Sequence, residues 1–457
     1  MGFQVSPGVN VSEIDLTTII PAVSTTTGAF AGHFRWGPVG QRVLVDSEDT
    51  LVKNFNGPSA NTYADFFTAA NFLAYGNFLY VTRVVNANTG AVQARNACAN
   101  GSYSTGIVIK NEEDYNNNYL TGVAGAGPWT AKYPGLYGNS LRVSICPSAN
   151  AYESTITGSC AFTNNSTTVT YTTATGVSTK VVAGDILVLG PDRLQLKVAS
   201  VSGNAVTLQS KYIGNTGTQS TTTRRWEYYN YFSSAPGTSI EVGRNGGSSD
   251  EMHIVVADED GQFTGIANTI VEVHAGVSKA LGAKSENGTA IYYRDYMNKN
   301  SRYVWWTAHA TGGANIGKGH TRGLNWGTGV QSLPVNSSLS LGRDGALPRA
   351  ADYINGYNLF RSAEAVDVSL ILGGASDATR AIHIINNIAE YRKDCIAILS
   401  PRKADVVANS GYSGAEVDDI ISFRNSLPST SYAVIDSGWK YQYDKYNDLY
   451  RWVPLNG

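Results

Sequence analysis

The sequence predicts a multidomain protein of α/β plus β class. A discontinuous α/β domain is interrupted by a large α+β insertion, which carries a nested small β-sandwich or barrel. Three observations lead there. Apolar runs and helix-period segments alternate near both ends of the chain, which implies βαβ units and a largely parallel sheet. Neither end holds enough strands to close a core alone. Between them, residues 155–222 are rich in Thr, Ser and Gly and alternate with period two. At 457 residues and about 150 per domain, about three structural units fit.

Residues 1–24 read as an extended arm: Val5, Val9, Val11 and Ile14 recur among polar residues, and Pro7-Gly8 and Pro21 break any helix. Such an arm has no core of its own. It either folds back on its own domain or adds itself as a strand to a neighbour's open sheet edge. In 25–88, FAGHFRWGPVGQRVLV supplies two short strands around Gly37-Pro38. Tyr63, Phe66, Phe67, Ala70 and Leu73 then share one helix face, and FLYVTRVV (78–85) is a buried strand. The complement lies in 350–457. Strand VDVSLIL (366–372), a helix over about 376–393, strand CIAILS, a helix over 415–426 and strand YAVID follow in turn. The remaining segments, 89–154 and 223–349, read as an α+β insertion with strands LRVSIC, EMHIVVAD and YVWWTAH and a helix near 264–282. Within it, 155–222 carries four or five short strands.

Charge is sparse: Asp, Glu, Lys and Arg make up 15% of the chain, against about 25% in an average soluble domain. The net charge is −2 with no basic stripe, which argues against nucleic acid as a partner. No apolar run is long enough to span a membrane, and the N-terminus lacks a secretory pattern. Cys98, Cys146, Cys160 and Cys395 show neither CxxC spacing nor a nearby histidine, so no metal and no disulfide framework is expected. A charge-poor polar surface suits a secreted binding protein or a subunit covered by its neighbours.

No motif gives catalysis a foothold, and the chain reads as a non-enzyme without cofactors. GGANIGKG (312–319) imitates a phosphate-binding loop, but Gly319 replaces the Ser or Thr, and the glycine-rich continuation cannot form the required helix. A mobile surface loop is the plainer reading. His309 and His320 flank it without metal spacing, and Asp258-Glu259-Asp260 reads as a solvated turn. Gly373-Gly374 fits a ligand-binding strand end or tight strand–helix packing.

The C-terminal run KYQYDKYNDLYRWVPL (440–455) closely resembles the tail sheath family of T-even-like contractile-tailed bacteriophages. So do SPGVNVSEID (6–15), AFAGHFRWGP (29–38), NFLAYGN (71–77) and YPGLYGNSLRVSI (133–145). The resemblance implies a structural subunit of the virion tail, made in the host cytoplasm, stacking as hexameric rings around a tail tube. Contraction would drive the tube through the host envelope, without nucleotide. Its implied partners are neighbouring sheath subunits, the tube protein, and baseplate and tail terminator proteins. Terminal arms would donate strands to adjacent subunits, with Val5, Val9, Val11 and Ile14 as the candidate contacts on this chain. Residues 155–222 depart from the family, and the chain ends at Gly457 where members continue. A shortened form that does not build normal sheath by itself is therefore expected. The alternative is a virion or secreted carbohydrate-binding or hydrolysing protein, suggested by 27 Tyr and 8 Trp and the nested β module.

Overall fold

The structure, a computed structural model, describes residues 26–88, 93–172, 176–319, 322–407 and 414–457. Its largest sheet joins the two ends of the chain. The strand order is Ala433–Ile435, Ile396–Ser400, Leu370–Ala375, Gly28–His33, Leu79–Val84 and Arg42–Val45. The first five run parallel and the last is antiparallel. The near-continuous apolar strands reflect burial on both faces, as parallel sheets require. On one face helices Glu48–Phe55 and Tyr63–Leu73 pack over Phe30, Leu79, Val81 and Leu372. On the other, helices Ala350–Tyr357, Ala378–Ile384 and Ala415–Ser426 cover Ala29, Ala31, Ile371, Ala397 and Leu399. Gly356 permits one close approach: a Cβ there would lie 2.8 Å from Val84 and 3.0 Å from Ala31.

A second sheet is antiparallel, in the order Thr269–Ser278, Glu251–Asp258, Leu141–Cys146 and Val335–Ser338. The helix expected near 264–282 is instead the strand Thr269–Ser278. TIVEVH alternates β-branched residues with polar ones, and pairing with Glu251–Asp258 rewards that alternation over the helical spacing also present. Residues 153–225 close into a six-stranded barrel, one strand more than the sequence reading counted. Its interior is filled by Ile156, Phe162, Val169, Leu187, Val198 and Tyr212 among others. Closure removes the sheet edges that an open module would expose.

Buried charges hold these parts together. Arg83, 1% exposed, lies in the large sheet and donates to the carbonyls of Phe34 (2.8 Å), Gly37 (2.9 Å) and Arg35 (3.2 Å). Its fourth acceptor, Pro134 O at 2.7 Å, belongs to the segment leading into the antiparallel sheet. Trp36 follows the same route and packs with Tyr133 and Phe263. At the barrel's root, buried Arg224 donates to Ala151 O (2.7 Å), Ser332 O (3.3 Å) and Asn150 O, and lies 3.6 Å from Asp185. Glu227 accepts from Arg142 of the antiparallel sheet (3.2 Å) and from Lys197 of the barrel. The barrel is thus clamped by charge-assisted contacts rather than only tethered.

Candidate assembly surface

The final elements of the chain form the most distinctive surface. Strands Trp439–Asp444 and Leu449–Pro454 make a hairpin that pairs with no other strand among the described residues. A two-stranded ribbon is marginal alone, and this one is held at several points. Val453 enters the core beneath the large sheet with Phe66 and Leu372. At the tip, Lys445 (3.0 Å) and Tyr446 (2.8 Å) both reach Glu48, and the Tyr446 ring meets Phe66 edge-on at 5.3 Å. Buried Asp444 accepts from Arg451 at 2.8 Å. Trp439 donates to Pro401 O at 2.9 Å, and Asn456 returns the chain to Gly374 O at 2.9 Å.

The register then puts Tyr441 opposite Trp452 and Tyr443 opposite Tyr450 on the outward face. Tyr441 stacks on Tyr450 at 5.3 Å and meets Trp452 at 5.1 Å. Tyr441 is 59% and Tyr450 58% exposed, so no described residue covers this aromatic ladder. Such pairs contribute about 0.5–1.5 kcal/mol each beyond burial. Among the described residues the hairpin combines two unpaired strand edges with an exposed aromatic surface, features that suit an added strand. Sequence reading found these residues by resemblance but saw nothing in their pattern that would leave one face uncovered.

The arm residues Val5, Val9, Val11 and Ile14 lie outside the described residues. The described chain begins beside the large sheet, where Thr27 O accepts from Ser369 N (2.9 Å) and Leu370 N (3.1 Å). Among the described residues no helix follows the GGANIGKG segment to hold a phosphate, and the next regular element is the strand Val335–Ser338. Its backbone is tied down at Gly317 N to Lys279 O and Leu281 N to Lys318 O, both 2.9 Å. Lys318 itself bonds Asn315 at 2.9 Å. His309 is bonded through Nδ1 to the Tyr293 hydroxyl at 2.5 Å, and burial holds its pKa below the usual imidazole value. His320 lies outside the described residues.

Two other candidates resolve into packing. Asp258 is not solvated: it is fully buried and accepts from Ser140 (2.5 Å), Phe263 N (2.9 Å) and Thr264 N (2.8 Å), shaping the turn that follows. A Cβ at Gly373 would sit 2.4 Å from Leu399, and Gly374, at φ +62°, backs onto Phe30. Beside them lies the crevice beyond the strands' carboxyl ends, where doubly wound sheets take ligands. The protein's own groups occupy it: Asp65 accepts from His33 N and the Tyr353 hydroxyl, both at 2.7 Å. Arg380 stacks on Tyr353 at 4.3 Å. No group of three or more His, Cys, Asp or Glu among the described residues could hold a metal ion, and no described helix is long and apolar enough to cross a membrane.

Comparison with known proteins adds what geometry alone cannot. No protein-family model matches the chain. The tail sheath protein of Salmonella phage ViI is 28% identical over 482 residues, spanning 100% of this chain and 69% of that protein. That of Vibrio phage KVP40 is 27% identical, spanning 99% of this chain and 72% of that protein. That of Enterobacteria phage T4 is 26% identical, spanning 98% and 71%. Among solved structures, a sheath tail protein of Listeria innocua aligns with TM-score 0.36 at 11% identity, over 89% of this chain and 57% of that one. One of Desulfitobacterium hafniense aligns with TM-score 0.34 at 9% identity, over 96% and 65%. Nearly from end to end, the chain is similar to three bacteriophage tail sheath proteins.

Proposed function

We propose that this chain is a structural subunit of a contractile phage tail sheath, polymerising as hexameric rings around the tail tube. Contraction would drive the tube through the host envelope. The observation that carries this reading is the match along nearly the whole chain to three tail sheath proteins. The chemistry required is packing, not turnover: two lattices of the same subunits differ in free energy, and triggering releases the higher one. Partners would be neighbouring subunits, the tube, the baseplate and the tail terminator, all within the virion tail after synthesis in the host cytoplasm. In this reading 25–88 and 350–457 form the inner unit, 89–154 and 223–349 a protruding unit, and 155–222 an outer module. The arm at 1–24 would supply an added strand through Val5, Val9, Val11 and Ile14, and the open-edged hairpin 439–454 is a suitable acceptor.

A carbohydrate-directed role finds no support. Phe162, Tyr171 and Tyr212, the three aromatic residues of 155–222, all lie inside the barrel, where no sugar ring could stack on them. Immunogold labelling of virions with antibody against the chain tests the sheath reading. Label along the whole extended tail, shortened in contracted particles, is expected; label confined to heads, fibres or baseplates would overturn it. In virions, deletion of residues 1–24 should abolish ordered sheath in electron micrographs, and intact sheath would exclude strand donation by the arm.

A further inference from the structure

The large sheet is covered unevenly. Parallel strands are normally buried on both faces. The face toward helices Ala350–Tyr357, Ala378–Ile384 and Ala415–Ser426 is filled by Ala29, Ile371, Ala397 and Leu399, with Ala433 and Ile435 packed at its edge. The register fixes which side chains share the other face. Phe30 and Leu372 are partners beneath helices Glu48–Phe55 and Tyr63–Leu73; Ile398 is partner to Leu372, and Val434 to Ile398. Leu370 and Ile396, paired two residues earlier, join them by alternation. Yet the two helices stop short of the last two strands. Val434 is 55% and Ile396 42% exposed, Leu370 and Ile398 are half-buried, and none of the four enters the cluster beneath the helices. The result is an aliphatic strip that the described residues leave half open. Strands Leu370–Ala375, Ile396–Ser400 and Ala433–Ile435 carry no charged side chain.

The start of the described chain points to the occupant. Thr27 N donates to the Ser369 hydroxyl at 3.1 Å, and Thr27 O accepts from Ser369 N and Leu370 N at 2.9 and 3.1 Å. Ser369 O in turn accepts from Ile396 N at 3.0 Å. The residues before Thr27 therefore join the sheet at the end of the strip where Leu370 and Ile396 lie. Residues 16–23, LTTIIPAV, lie outside the described residues; they include Leu16, Ile19, Ile20 and Val23 and no charge, which suits an uncharged aliphatic strip. Val23 and Leu16 stand four and eleven residues before Thr27, a reach of about 13–36 Å in extended chain. Val434 is three strands from the one that Thr27 precedes, about 14 Å at the usual spacing. So short a tether gives a roughly millimolar effective concentration, which a second copy at micromolar concentration does not match. Pro21 has no N–H to give to a ladder, so this sequence suits lying across the face better than pairing along the edge strand Ala433–Ile435. We infer that residues 16–23 pack across the Ile396–Ile398–Val434 strip of their own chain. They close the second face of the large sheet and fix the point from which residues 1–15 leave. The inference goes beyond the sheath reading and does not depend on it, since the contact lies within one chain.

Cross-linking of the full chain tests it. With Ile20→Cys and Val434→Cys together, mild oxidation should form a disulfide between those two positions, whereas Val5→Cys with Val434→Cys should not; the four native cysteines are buried. Mixing isotope-labelled and unlabelled chains before oxidation separates links within one chain from links between copies. Thermolysin reads the same contact without engineered thiols. In the wild type, cleavage within 16–23 should be slower than within 5–14, and Val434→Asp should raise it about tenfold or more. Circular dichroism checks that this variant folds. From the other side, Ile19→Ser with Ile20→Ser leaves the sheet itself untouched and should speed the reaction of a thiol reagent at Val434→Cys by a similar factor. Equal cleavage along residues 1–25, cleavage within 16–23 unmoved by Val434→Asp, or an unchanged thiol reaction rate would each overturn the inference. So would a Val5 link as efficient as the Ile20 link, or links found only between copies. Labelling of the virion tail is independent of all these results, so the sheath reading stands or falls separately.

Discussion

Arg83 is the side chain on which the largest single loss of stability is expected. It is enclosed, and its guanidinium spends four hydrogen bonds on carbonyls from two parts of the chain: residues 34–37 of the large-sheet unit and Pro134 beyond it. Desolvation lowers its pKa to about 10 despite the opposing influence of Asp344, so it remains a cation at neutral pH. Arg83→Met keeps much of the aliphatic volume but leaves four buried carbonyls without their donor. Removing one side of a buried charged network costs about 3–5 kcal/mol, a large share of a typical domain's stability. Arg83→Lys keeps the charge, but a single ammonium cannot span acceptors arranged around a planar fork, so an intermediate loss is expected. Urea unfolding followed by tryptophan fluorescence measures the cost, and hydrogen exchange at residues 34–37 and 134–136 locates it. A Met variant within about 0.5 kcal/mol of wild type, with unchanged protection at both segments, would refute the role assigned to Arg83.

Three further outcomes follow from the same structure. Gly135 sits at φ +145°, with a would-be Cβ 2.8 Å from Arg35 O, so Gly135→Ala should destabilise by about 1–3 kcal/mol, measurable by thermal melting. Glu227→Gln should lose about 2–3 kcal/mol because Arg142 and Lys197 lose their shared carboxylate. A double-mutant cycle with Arg142→Met should show strong coupling, and additivity would argue against the clamp. Asp185 is raised to about 7, chiefly by burial, with Arg224 opposing. The folded state therefore binds more protons than the unfolded between about pH 4 and 7, and stability from this group falls as pH rises through that window, by at most about 1.4 kcal/mol per unit. Asp185→Asn should flatten that slope relative to wild type in denaturant titrations at pH 5, 6 and 7.

The elements near both ends were legible because their residues carry a single period. Tyr63, Phe66, Phe67 and Ala70 could only be a helix face, and helix Ala415–Ser426 has the bounds that its pattern implies. The stretch 264–282 was not, because its apolar spacing suits a helix as well as a strand, and only the partner strand Glu251–Asp258 decides. Arg83 was invisible for another reason: its acceptors are backbone carbonyls up to 51 residues away, and carbonyls leave no trace in a sequence. The hairpin's open face shares that difficulty. Tyr441, Tyr443, Tyr450 and Trp452 would read as one face of any two-stranded ribbon; that no described residue covers them depends on how the rest of the chain packs.

The sparse charge acquires a more specific meaning from where the charges sit. Twelve Asp, Lys and Arg side chains are buried among the described residues, including Arg83, Lys132, Asp185, Arg224, Lys279 and Arg392. A composition already poor in charge thus spends part of it on internal clamps, and the exterior is poorer still. For the sheath subunit proposed above, which would bury the same surfaces in two different lattices, this has a physical advantage. Each exposed charge that enters an interface must be desolvated, and it helps only if matched in that particular lattice. Thr, Ser, Asn and Tyr can exchange partners and water at lower cost as neighbours rotate. In the arrangement proposed above the same holds for the barrel, which would also meet changed neighbours as the lattice shortens. Exposed charges, few as they are, would then be the places where one lattice can be favoured over the other.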